Sequence, residues 1–202
     1  MKNRRAVFRI ARSIAVAAIV PVIQSPIAAA AEAVDHRGVP GPLRFDGKSF
    51  ALAWSAKPSD GHTKQEYIPA GQKVETYDQM LLVERVAGKL KAIDAARAQV
   101  QTLEKRKASD PLVNMSLIQN PKNGEVLLDF VVSAKDRDGR VIVEWNAYRY
   151  ATIEGAAPGV MLFGVSHRAY GNENAKAFLG QLKTLRSAQV GALAGVDMPK
   201  LR

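Results

Sequence analysis

The chain of 202 residues contains no cysteine, and that absence removes several possibilities at once. No disulfide can staple the fold, although an oxidising compartment would permit one, so the core alone must hold it. Lipid attachment through an N-terminal cysteine is excluded, as is a zinc site built on thiolates. Histidine is scarce too, and His36, His62 and His167 show no ligand spacing. Asp136-Arg137-Asp138-Gly139 begins like a calcium loop but lacks the third ligand and the closing glutamate, so it reads as a hairpin turn. There is no G-x-S-x-G elbow and no glycine-rich phosphate loop, because the glycines fall singly in turns. No cofactor and no metal are expected. Paired carboxylates remain open, since any two strand acids can meet in space.

Long hydrophobic runs are also missing. The longest apolar stretch, Ser13 to Ile23, is broken by Pro21 and falls short of the roughly twenty residues a spanning helix needs. It follows a basic, acid-free start (Lys2, Arg4, Arg5, Arg9, Arg12) and precedes IAAAAEA, with sites for cutting after Ala30, Ala31 or Ala33. That is the layout of a secretory signal peptide, removed from the mature protein. Within it, Arg4-Arg5 followed by Ala6, Val7, Phe8 and Arg9 resembles the twin-arginine export signal, a receptor-read address rather than an anchor. An ordinary Sec signal is the alternative. The expectation is a periplasmic or secreted protein with no stable membrane insertion after cleavage.

The leader also accounts for much of the charge. The net charge is +10 from 29 bases and 19 acids. Removing the five leader bases leaves 24 against 19, or +5 for residues 32 to 202. Those charges alternate in sign along the chain, and Lys105-Arg106-Lys107 is the one tight basic cluster. A nucleic-acid binder shows a basic stripe with aromatic partners, and none is evident.

Residues 32–49, with two prolines, three glycines and no periodicity, read as a flexible lead-in. The single domain is expected over 50–202. Phe50, Leu52 and Trp54 alternate with small residues, as in a strand with a bulky inward face; KPSDG turns the chain, and Thr63 to Ile68 returns as its hairpin partner. Pro69 ends that strand, and Thr76 with Gln79 fits a capping box on a short helical turn. Residues 81–86 read as strand or helix, with strand preferred. Leu90, Ile93, Ala96, Val100 and Leu103 form a helical stripe ending near Lys107. Strands follow over 113–119, 125–133, 141–153 and 160–170, joined by hairpin-length turns containing glycine. Asn172 is a fit N-cap for a last helix with Ala175, Phe178, Leu179, Leu182 and Leu185 buried. The fold class is therefore α+β: an antiparallel sheet of about six strands, a hairpin plus a four-strand meander, covered by two main helices.

The segment KQEYIPAGQKVETYDQMLLVERV is similar to a stretch in small exported proteobacterial proteins of unknown function, where an E-Y-hydrophobic-P-x-G run precedes an aromatic and an apolar strand. The element order looks like the PsbP-like fold, an antiparallel sheet between helices. The resemblance implies no particular activity.

A two-residue turn at Asp138-Gly139 would set Val132 beside Trp145 and Phe130 beside Ala147 on one face, with Ser133 beside Glu144 and Asp129 beside Tyr148 on the other. Gly164 would leave a hollow in the last strand, near Arg168. A shallow binding site walled by Asp129, Glu144, Tyr148 and Arg168 follows. The expected function is a non-catalytic module binding an unknown protein or small ligand in the cell envelope. A periplasmic hydrolase using Asp129 and Glu144 is the alternative, and loose association with an acidic envelope surface a further one.

Overall fold

The computed structural model of the protein describes residues 33–202. The leader and its twin arginines lie outside the described residues. Four strands come first: β1 (Leu43–Phe45), β2 (Lys48–Ser59), β3 (His62–Ile68) and β4 (Gln79–Ala87). Helix α1 (Ala92–Arg106) leads to β5 (Asn114–Gln119), β6 (Val126–Lys135), β7 (Val141–Ile153) and β8 (Gly159–Tyr170), and α2 (Asn172–Gly195) follows. The strands form one curled sheet in the order β1-β2-β3-β4-β8-β7-β6-β5, antiparallel throughout. The expected hairpin and four-strand meander are both present, but the sheet has eight strands rather than six. The sequence misses β1 because three residues are too few to show a period. It leaves β4 ambiguous because a strand buried on both faces has no alternation to read.

Successive strand residues point to opposite faces, and the two helices divide them. Val126, Leu128, Phe130 and Val132 pack with Ala92, Ala96 and Leu103 of α1, whereas Leu127, Val131, Trp145 and Phe163 pack with Ala175 and Leu193 of α2. The sheet is therefore the middle of three layers. Among the described residues, no helix is long and apolar enough to cross a membrane.

Four local readings are corrected. The β6–β7 hairpin closes through a three-residue loop, with Asp136 pairing Arg140 and Gly139 at φ +78°. Asp136 Oδ1 accepts the Asp138 and Arg140 N–H groups, which favours that longer loop. The register is thus one residue away from the expected one: Val132 lies beside Glu144 and Val131 beside Trp145. A one-residue slip exchanges faces. A bulge between Leu52 and Trp54 turns Trp54 outward, leaving it 40% exposed. Between β3 and β4 there is no capped helical turn. Pro69 to Gln72 form a β-turn with Gly71 at φ +82°, and Gln79 already belongs to β4. The α2 N-cap is Gly171, at φ +83°, rather than Asn172.

Residues 33–49 are packed where the sequence suggested a loose lead-in. Val39 is buried in the core under α2, its carbonyl accepting a 2.6 Å bond from the Tyr67 hydroxyl. Asp35 Oδ1 accepts the N–H groups of Arg37 and Val39. These local bonds explain an ordered segment that hydrophobic periodicity cannot reveal.

Asp110 ties the end of α1 to the sheet. Its carboxylate accepts the Ser133 N–H and hydroxyl, both at 2.7 Å, and Arg106 Nε at 2.9 Å. Burial alone would push this carboxyl up, but the Ser133 bonds and Arg106 outweigh it and hold it below its usual value. A group depressed in the folded state stabilises above its unfolded pKa of about 3.9, and that contribution is lost as pH falls through the folded value. Asp110→Asn is accordingly expected to be less stable at neutral pH and to show a shallower loss of stability below about pH 4, read by urea denaturation at each pH. Parallel acid limbs in the two proteins would refute the role.

Candidate functional site

The polar residues of the α1-side face come together through cross-strand register. Glu144 lies beside Arg168, Asn146 beside Ser166 and Tyr148 beside Gly164. A Cβ at Gly164 would come within 2.7 Å of Tyr148 Cδ1, so the hollow expected there is filled by the tyrosine ring. Glycine is required because its partner's ring lies across it.

Arg168 Nε donates to Glu144 Oε2 in a buried ion pair. The Tyr77 hydroxyl donates to the same oxygen at 3.2 Å, and Asn146 Nδ2 to Oε1 at 2.9 Å. Ser166 and Tyr148 in turn donate to Asn146 Oδ1. The Arg168 guanidinium carbon stands 4.3 Å from the Tyr77 ring centroid, a cation–π contact that closes the corner. Burial disfavours charge on Arg168, yet Glu144 and the neighbouring phenols hold its pKa above the usual arginine value. Burial and then Glu144 drive the Tyr77 phenol well up, so it stays protonated and donates.

Beyond this closed network, the polar groups are less completely matched. Tyr150 and Gln99 are each only 4% exposed. Among the described residues, neither the Tyr150 hydroxyl nor the Gln99 side-chain amide has a hydrogen-bond partner, while none of the fully enclosed polar atoms is unpaired. These groups therefore reach solvent from within buried residues. Gln99 shares the inward stripe of α1 with Ala95, Ala96 and Leu103, and Tyr150 rises from β7 beneath that helix, in its apolar cluster. Tyr148, half-buried, packs edge-on against Phe130 and Tyr150. Burial raises both tyrosine pKa values, with Glu144 the next cause for Tyr148 and Glu84 for Tyr150. Neighbouring Glu84 is bonded to His62 at 2.6 Å, and Glu66 to Lys64 at 2.9 Å.

Three of the four residues singled out from sequence, Glu144, Tyr148 and Arg168, share this face; Asp129 does not. It lies under α2, where its carboxylate pairs with Arg186 and accepts the Trp145 indole N–H at 3.3 Å. His167 is on that side as well, 3.2 Å from Gln189, with burial lowering its pKa. Asp129 and Glu144 are thus separated by the sheet and cannot flank one scissile bond. Strand parity already grouped Asn146 and Tyr150 with Tyr148. Tyr77 gave no such signal because a loop brings it there. Gln99 was legible only as a polar residue at a buried helical position.

A small domain with a sheet between two helices and a polar cluster under one of them is the class that fold and site define. A protein-family model matches residues 37–198, and the chain belongs to that family, which is of proteobacterial type. A solved structure of a STAR-related lipid transfer protein from Xanthomonas axonopodis (fragment 25–204) is 12% identical, covering 71% of this chain and 96% of that one at a TM-score of 0.29. A likeness of that size carries no argument about what this chain does. No curated protein matches it significantly. The PsbP-like fold suggested by element order gains no support from these comparisons.

Proposed function

We propose that the protein is an exported, non-catalytic module that binds a small polar ligand between α1 and the sheet, against Tyr148, Tyr150 and Gln99, with the Glu144–Arg168 pair and Tyr77 as the rigid wall. One observation carries this reading: the Tyr150 hydroxyl and the Gln99 amide stand without partners in residues that are otherwise buried. Both groups reach solvent from residues that are otherwise packed, so they are held in place and free to bond a small ligand. A neutral phenol and an amide offer hydrogen bonds rather than charge, and the aromatic rings of Tyr148 and Phe130 offer a flat apolar wall beside them. The basic, acid-free start, apolar run and small-residue sites of residues 1–33 support export.

The test uses the protein recovered from the periplasm or medium, which is expected to have lost its leader. Native mass spectrometry against small-molecule extracts of the envelope should find a bound species whose affinity falls about threefold to tenfold in Tyr150→Phe, the effect of one neutral hydrogen bond. Tyr150→Phe keeps the ring, so its thermal stability should match the parent. If the full-length precursor stays in the cytoplasm, export is refuted. Parent and variant with identical retained species, or with none, would refute the site.

A further inference from the structure

On the opposite face, beside the segment that follows α2, where the Arg202 N–H donates to the Arg37 carbonyl at 2.7 Å, two arginines lie near one threonine. Arg37 Nε donates to Thr63 Oγ1 at 2.7 Å, and Arg85 is the direct cross-strand neighbour of Thr63. Arg85 is 9% exposed, and among the described residues its guanidinium makes one bond, from Nη2 to the Ala157 carbonyl at 2.8 Å. Among the described residues, no carboxylate lies within ion-pair distance of either guanidinium. Asp35, the acid nearest to Arg37 in sequence, uses its Oδ1 on main-chain N–H groups instead. A third arginine, Arg202, packs its side chain over Gly38 at the same corner.

A buried arginine such as Arg85 is ordinarily paired, because an isolated charge loses hydration without compensation, and Arg37 beside it is half-buried. Here the two cations also oppose each other: burial and then the Arg85 charge lower the pKa of Arg37. The remaining guanidinium N–H groups are not sealed in, since no fully enclosed nitrogen is unpaired. Thr63, itself buried, accepts from Arg37 and keeps its own O–H to donate. Two guanidiniums near enough to repel each other, one of them bonded to a hydroxyl, match the oxygens of a phosphate or a carboxylate, to which arginine bonds two at a time.

We propose that Arg37, Thr63 and Arg85 form a binding site for an oxyanion, a phosphate or carboxylate group, on the α2-side face. This site is separated by the sheet from Tyr148 and Tyr150 and stands independently of the ligand proposed there. An anion here offsets the repulsion between the two guanidiniums, so binding also stabilises the fold.

Inorganic phosphate and acetate are titrated separately into the protein at an ionic strength held constant with chloride, followed by calorimetry and thermal unfolding. Saturable binding of either anion, weakened about tenfold or more in Arg37→Gln, is expected for the loss of a charge-assisted bond. Binding of phosphate alone identifies a phosphate site, and binding of acetate identifies a carboxylate site. Arg85→Met should abolish both responses, because it removes one of the two guanidiniums that hold the anion. Should Arg85→Met fail to fold, Thr63→Val with Arg37→Gln decides the matter. Effects no larger than those of chloride, or variants that bind like the parent, would overturn the proposal.

Discussion

Arg168→Met is expected to lower folding stability by about 3–5 kcal/mol, the usual cost of leaving one member of a buried ion pair uncompensated. Glu144 would stay buried between β6 and β8 with only Tyr77 and Asn146 donating to it. A domain of this size has total stability of about 5–15 kcal/mol, so the variant would lie near the edge of folding. The double variant Arg168→Met/Glu144→Gln should recover most of the loss, because both charges are then gone. Urea denaturation of the four proteins completes the cycle. A single variant within about 1 kcal/mol of the parent would show that the pair is well hydrated. The same reasoning rules out Arg168→Ala as a binding probe, since it would disturb the fold before any ligand is tested.

Trp145→Ala should be comparably damaging, at about 3–5 kcal/mol, through the cavity it opens. Trp145 is the largest fully buried side chain and belongs to the core that α2 covers. Its ring lies 6.0 Å from that of His167, and its indole N–H is one of the groups serving Asp129. Trp145→Phe separates the two roles: it restores most of the volume but leaves Asp129 to Arg186 alone. Its cost is therefore expected to fall well below that of the alanine variant. Equal losses for both, measured by denaturation, would mean that the hydrogen bond rather than packing sustains this part of the core.

Which side of the sheet Trp145 and Asp129 occupy was the point at which sequence reasoning failed. Period-2 patterning located β6, β7 and β8 to within a residue or two, because each strand carries its own apolar alternation. The register between β6 and β7 depends instead on loop length. Asp138-Gly139 satisfies the signature of a two-residue turn, but the Asp136 side chain captures Asp138 and Arg140 and favours three residues. That single residue carried Asp129 to the opposite face from Glu144. Glu144, Tyr148 and Arg168 remained together because the β7–β8 pairing was inferred from parity alone. Trp54 was misplaced for a similar reason, since a bulge has no signature in alternation.

The sequence by itself determined the elements of this protein: two amphipathic helices, the antiparallel meander and the polar parity of β7 and β8, together with a leader-like start. All of these depend on spacing within a few residues of one another. Only the tertiary structure decided which face each polar side chain occupies, that residues 33–49 dock on the core, and that Arg37 bonds Thr63, the cross-strand neighbour of Arg85. Those outcomes depend on register, loop closure and contacts between residues distant in the chain. A shift of one residue, invisible to local periodicity, exchanges the two faces of a strand.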